Sequence, residues 1–250
     1  MTKLNVLIAC EESQTFTKIF RGLGHNAFSC DIKKSSGGFE RYHIQADARE
    51  IAHDTSYNWD LMIAHPPCTF LSGAGRQWLA HPLDKHLAFF DRRDHPKFPN
   101  RRNKMFESLE FVSALAQAPI EHIALENPLG ILNSKQGLLK ELVESMFYHD
   151  DSSFMLEKPC IIQPYEFGDH YQKRSCYWLK NLDRIKTTVK AKDQNRGEMI
   201  TLKSGTKIPL WFNQPFKDAE HRKEIRSKNY FHKMSLALAT QFIESIENRA

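Results

Sequence analysis

The chain of 250 residues is short of several things, and each shortage narrows what it can be. It has five cysteines, at positions 10, 30, 68, 160 and 176, with no Cys-x-x-Cys pair and no metal-ligand spacing. An odd number of scattered thiols reads as reduced, so a cytoplasmic protein with neither a disulfide framework nor a bound metal is expected. No apolar run is long enough to span a bilayer and no secretory signal is recognisable, so no membrane partner is expected. There is no internal repeat and no low-complexity tract. Glycine numbers only eleven, and none falls in the turn after the first predicted strand. Dinucleotide-binding folds carry their phosphate-cradling glycines in that turn.

What is present is enough for a full core, one domain with an appendage being the default at this length. The formal net charge of +5 is unevenly spread. Residues 76–104 hold eight Lys/Arg against three Asp, and residues 173–233 hold sixteen against six acids. The remainder is therefore acidic. Two basic segments on an acidic body point to a polyanion held between them, although solvated loop charge gives the same count. Arg76, Arg92, Arg93, Arg101 and Arg102 in the first segment, and Lys173 in the second, are the candidate nucleic-acid contacts.

Leu4–Ala9 reads as a buried strand and Cys10–Ser13 as the turn after it. Phe16, Ile19, Phe20 and Leu23 recur at helical spacing, with Gly24 placed to end the helix. Ala27–Cys30 is a second strand ending on Asp31, an acid able to accept both hydroxyls of a ribose. A polar loop over 32–43 leads to a short strand at 43–46. Asp47 follows it, and serves equally well as another strand-tip acid or as the N-cap of a helix over 48–53.

The run Asp60–Ala64 is a buried parallel strand stopped by Pro66 and Pro67, neither of which can donate to a ladder. Cys68 follows, where the chain leaves the sheet. It is either a nucleophile on a rigid turn or a small buried hydrophobe. Residues 69–103 show little apolar periodicity and carry aromatics among basic residues, which predicts a long irregular lid. Met105, Leu109, Val112 and Leu115 predict a helix, Ile120–Leu125 a strand ending on Glu126-Asn127-Pro128, and residues 135–148 an amphipathic helix. Strands are expected over 158–164 and 175–179, a hairpin around Ser204-Gly205, and a closing helix over 231–247. The expected fold class is α/β: a Rossmann-like, doubly wound, mostly parallel sheet with a small basic insertion near the C-terminus. The expected divisions are a catalytic part over 1–182, a small basic insertion over 183–228, and a helix over 229–250 packing back on the first part.

A thiol (Cys68), a carboxyl (Glu126) and a guanidinium (Arg174) thus fall at or beside strand tips. Cytosine is a poor nucleophile at C5. A thiolate added at C6 makes it enamine-like, provided an acid engages N3 and a cation engages O2. The ordered set resembles the DNA cytosine-C5 methyltransferase family, in the compact form seen in phage genomes. Pro66-Pro67-Cys68 is similar to its Pro-Cys motif, Glu126-Asn127-Pro128 to its Glu-Asn-Val motif, and Gln172-Lys173-Arg174 to its Gln-x-Arg-x-Arg motif.

The resemblance implies an S-adenosylmethionine-dependent methyltransferase fold, with Cys68, Glu126, Asn127 and Arg174 as catalytic residues. It implies a cofactor site from Ala9, Cys10, Glu11, Ser13, Asp31, Asp47 and Pro66, and no metal. It also implies double-stranded DNA as partner, with the target base flipped, a monomer, and a bacterial or phage-infected cytoplasm. Departures are equally plain. The cofactor turn Ala9-Cys10-Glu11-Glu12-Ser13 has no glycine, and the arginine pair is reduced to Lys173-Arg174. A pyrimidine-C5 enzyme using another one-carbon donor or RNA, and an inactive DNA-binding phage protein, are the alternatives.

Overall fold

The computed structural model describes residues 2–134, 138–212, 217–218 and 231–249. Seven strands form one sheet: β1 Asn5–Ala9, β2 Asn26–Asp31, β3 His43–Gln45, β4 Leu61–Ala64, β5 His122–Pro128, β6 Cys160–Ile162 and β7 Ser175–Lys180. Their order is β3-β2-β1-β4-β5-β7-β6. The first five run parallel, and β7 is antiparallel to both β5 and β6. This is the doubly wound, mostly parallel sheet that the alternation of apolar runs with helical spacing predicts.

Period-two alternation divides the strand residues between two cores. Val6, Ile8, Leu61, Ile63, Ala124 and Tyr177 face α1 (Thr15–Gly22) and the last helix, α5 (His232–Glu247). Leu7, Ala9, Met62, Ala64, Ile123, Leu125 and Trp178 face α2 (Ala48–His53), α3 (Arg101–Ala116) and α4 (Leu138–Met146). All four residues of β4 are buried, which is why its sequence is a continuous apolar run rather than an alternating one. Phe16, Phe20 and Phe242 lie in the first core; burying each contributes about 1.5–3 kcal/mol. The helix ending at Gly22 closes as expected, with Gly24 at φ 95°.

Strands β2 and β3 lie on one side of β1, and β4 and β5 on the other. The winding therefore reverses between β1 and β4, the place in such sheets where ligands bind beyond the carboxyl ends.

The segment 69–103 is irregular, as its lack of apolar periodicity predicts. It holds 3₁₀ turns at Gly73–Trp78, Pro82–Asp84 and Phe89–Asp91. Ser72 also bridges to Gly130 beyond β5. A Cβ on Gly130 would run into the Leu71 carbonyl and stand 2.9 Å from the Gly73 nitrogen, so this seam requires glycine. Helix α3 starts at Arg101, a turn ahead of its apolar repeat. The expected hairpin is present as β8 Met199–Thr201 and β9 Lys207–Pro209. Residues 213–216 and 219–230 of the predicted insertion, and 135–137 of the predicted helix over 135–148, lie outside the described residues. Among the described residues no helix is long and apolar enough to cross a membrane.

Candidate active site

Two neighbouring strand tips build the centre of the site. From β4 the chain enters His65-Pro66-Pro67-Cys68. Pro66 is buried, whereas Pro67 and Cys68 are exposed. The Cys68 carbonyl accepts from the nitrogens of Leu71 (3.1 Å) and Ser72 (2.9 Å), closing a turn directly after the prolines. Asn127, fully buried on β5, donates its Nδ2 to the Pro66 carbonyl at 3.1 Å. Proline has no N–H, so its carbonyl is the group through which β5 can hold this turn.

Glu126 points to the opposite face from Asn127, the face of Leu61 and Ile63. His65, on the same face at the end of β4, brings its Nδ1 to 3.8 Å from Glu126 Oε2. That distance is an ion-pair contact, too long for a hydrogen bond. Burial alone would raise the Glu126 pKa. His65 and the charge of Lys173, with help from Ser175, outweigh burial and hold it below the ordinary carboxylate value.

Here the structure corrects the expectation for Arg174. Glu126 pairs with Tyr177 and Pro128 with Ser175, so alternation places Lys173 on Glu126's face. The exposed Arg174 belongs to the other face, where its charge acts on Cys176. Lys173, expected at nucleic acid, lies on Glu126's face, where its charge lowers that pKa, and its Nζ sits 5.6 Å from the centroid of the Phe231 ring. Burial first, and Glu126 second, push the Cys176 thiol up to about 12.

The crevice side is built by the turn after β1. Ala9 is buried, and Cys10 and Gln14 take left-handed φ values of 61° and 57°. Non-glycine residues thus occupy the conformation that glycine adopts without strain. Gln14 is held there by a buried hub: its amide donates to Ser29 Oγ (3.1 Å) and to the Phe39 carbonyl (2.9 Å), and its Oε1 accepts from Ser35 Oγ (2.6 Å).

Glu11 is turned away from the crevice, contrary to expectation. Its carboxylate accepts from Phe16 N at 2.7 Å and from Thr17 Oγ1 at 2.8 Å, capping α1. Burial pushes its pKa up against these bonds and the nearby His65 charge. Ser13 is also displaced from the expected role, lining a groove between α1 and α5 with Leu23 and His232.

Asp31 stands at the tip of β2, one oxygen accepting from Lys33 N at 2.9 Å. For Asp47 the N-cap alternative is the one seen. It accepts from Arg49 N at 2.9 Å, and the Arg49 guanidinium closes on its carboxylate at 2.6 Å, lowering its pKa. Both acids act on Cys10, whose thiol pKa is raised by burial first and then by Asp31 and Asp47. They therefore converge over the β1 turn.

This donor set selects among cofactors. A pyrophosphate would sit on the N-terminus of α1. The Glu11 carboxylate already occupies that place, so a dinucleotide does not fit. Asp31 at the tip of β2 fits a ligand with ribose hydroxyls, as S-adenosylmethionine has, whereas the Asp47 carboxylate is already engaged by Arg49. Among the described residues no group of acids, histidines and cysteines could hold a metal ion.

No family model matches the chain, and no curated protein matches it in sequence. Solved structures are similar to it. One is described as a DNA modification methyltransferase encoded within an E. coli prophage: 13% identity, TM-score 0.41, covering 71% of this chain and 46% of that one. The Entamoeba histolytica methyltransferase EhMeth is 15% identical with TM-score 0.46, covering 80% and 59%. S. pombe Dnmt2 methyltransferase is 16% identical with TM-score 0.38, covering 71% and 49%. The chain spans about half the length of these proteins.

The predicted nucleic-acid arginines are largely used inside the segment that carries them. Arg93 is bidentate to buried Asp84, and Arg92 donates to the Leu87 and Lys85 carbonyls. Arg101 donates to Thr69 O at 2.8 Å, and Arg102 pairs with Asp94 at 3.1 Å. A segment with few apolar residues holds its shape through these bonds. Arg76 remains exposed. Two residues escaped the sequence reading, His65 and Lys173 as partners of Glu126. The signal for His65 was available: counting by twos from Leu61 and Ile63 puts it on the same face, beside a parallel β5.

Proposed function

We propose that this chain transfers a methyl group from S-adenosylmethionine to C5 of a flipped cytosine in double-stranded DNA, through a covalent adduct at Cys68. The observation that carries the reading is the Asn127–Pro66 bond, which ties the turn bearing exposed Cys68 to the strand bearing Glu126. The thiol then follows β4 and the carboxyl lies on β5, the adjacent strand.

In this reading Cys68 Sγ adds to C6 while Glu126 engages N3 and the exocyclic amine. An uncharged base stacked over Glu126 excludes water and raises its pKa toward the protonated form. The electron pair released to C5 attacks the methyl carbon. S-adenosylmethionine, when bound, supplies that methyl on a sulfonium leaving group, held by Asp31 and the backbone at Ala9, Cys10 and Pro66. Loss of the C5 proton to solvent and departure of the Cys68 thiolate then restore the ring. Lys173 is the cation beside the carboxyl; Arg174, on the other face, is left to the DNA backbone. The catalytic part runs over 1–182, the hairpin segment 183–228 contacts the target, and 229–250 closes the first core.

The test is a duplex carrying 5-fluorocytosine, incubated with protein and S-adenosylmethionine and read by mass spectrometry. A stable adduct on Cys68, absent in Cys68→Ala, supports the reading. DNA binding with neither adduct nor added mass on ordinary cytosine overturns it in favour of a binding protein.

A further inference from the structure

His65 is the group the mechanism above leaves unused, and its surroundings are unusual. Its backbone nitrogen donates to the Ala9 carbonyl at 3.0 Å, pinning it at the point where the sheet reverses. Its ring stacks on Phe16, centroids 5.4 Å apart with 28° between planes, so the imidazole is held in one orientation. Nδ1 is aimed at Glu126 Oε2, 3.8 Å away. Nε2 is buried and makes no hydrogen bond. On the α1 side lies Glu11, a buried carboxylate whose pKa this same histidine acts to lower. The charged groups facing the ring are therefore Glu126 from β5, Glu11 from the β1 turn, and Lys173 ahead of β7 acting through Glu126.

The ring stands against the Glu126 carboxylate, and a proton on Nδ1 is the link between them. Of these side chains, histidine is the one whose ordinary pKa lies between 5 and 8. Glu126, held ionised by its neighbours, has no proton of its own to give to N3. We propose that His65 is a positioning residue that stores the proton Glu126 delivers, its ring held by Phe16 and its Nδ1 aimed at the carboxylate. This rests on the methyl-transfer reading. The step balances: the His65 Nδ1–H bond breaks as a Glu126 O–H bond forms, and that bond breaks as N3–H forms. The sequence reverses when the Cys68 thiolate leaves. The contact must close by about 1 Å in the complex to reach hydrogen-bond range.

Two measurements on the full chain test it. The first follows the His65 imidazole by NMR through a pH titration, in wild type and in Glu126→Gln, with no substrate. Removing the carboxylate should change the His65 ring signals and their response to pH; identical titrations in the two proteins refute the pairing, whatever the enzyme does. The second is the rate of 5-fluorocytosine adduct formation between pH 6 and 9, in wild type and in His65→Gln. His65→Gln should be slower than wild type by roughly tenfold or more at pH 6, and the ratio of the two rates should shrink as pH rises to 9, with DNA affinity unchanged. Parallel pH profiles in the two proteins overturn the proton-storing role. A wild type that forms no adduct overturns the reading on which the role rests, and the NMR coupling then stands or falls alone.

Discussion

The tips of β1 and β5 each present a glutamate on the same face of the sheet, Glu11 buried and Glu126 partly exposed, and the two behave oppositely. Glu11, after β1, is consumed by the N-terminus of α1 and has its pKa raised by burial. Glu126, on β5, has His65 and Lys173 beside it and is held below the ordinary value. An acid at a strand tip is thus not functional by position alone. What decides is whether its partners are backbone N–H groups of its own chain turn, which close the site, or titratable cations that leave an edge for a ligand.

Swapping each acid for its amide separates the two tips most sharply. Glu126→Gln should slow 5-fluorocytosine adduct formation by roughly 10²–10⁴-fold, while Glu11→Gln should stay within about threefold, because the amide still accepts from α1. Comparable losses in both variants would erase the distinction. Truncation reverses the ranking for stability. Glu11→Ala should lose about 1–2 kcal/mol in urea unfolding through unsatisfied nitrogens at Phe16 and Thr17.

The pH dependence of stability should carry opposite signs at the two tips. A raised folded pKa, as at Glu11, gives a contribution fully present below the unfolded value of about 4.3 and lost as pH rises through the folded one. A depressed folded pKa, as at Glu126, gives a contribution present above about 4.3 and lost as pH falls through the folded one. Denaturation midpoints measured from pH 3 to 8 should therefore rise less steeply in Glu126→Gln and more steeply in Glu11→Gln than in wild type. The smallest effect is also the most specific. Lys173→Gln should raise the Glu126 titration midpoint seen by carboxyl NMR, and Arg174→Gln should leave it in place. A shift from Arg174→Gln alone would restore the guanidinium to Glu126's side.

Much of the frame was legible because its signals are local. Strand β4 is four apolar residues stopped by two prolines, and Gly24 ends α1 by its φ. The segment 69–103 is irregular as expected, but what orders it, Asp84–Arg93, Trp78–His95 and the Gly130 seam, was not legible. These contacts have no periodicity to betray them. The arginines that looked like phosphate contacts were legible as charge but not as carbonyl donors, since a carbonyl partner leaves no trace in composition.

By itself the sequence determined the strands, their parallel winding and the edge on which Cys68, Glu126 and Asn127 fall, because side-chain alternation and proline's missing donor act within a few residues. The tertiary structure alone decided that Lys173 rather than Arg174 lies on Glu126's face and that His65 Nδ1 stands 3.8 Å from that carboxylate. Those outcomes depend on register between β4, β5 and β7, strands far apart in the chain. Register is set by how two cores pack, and a one-residue slip would exchange every face.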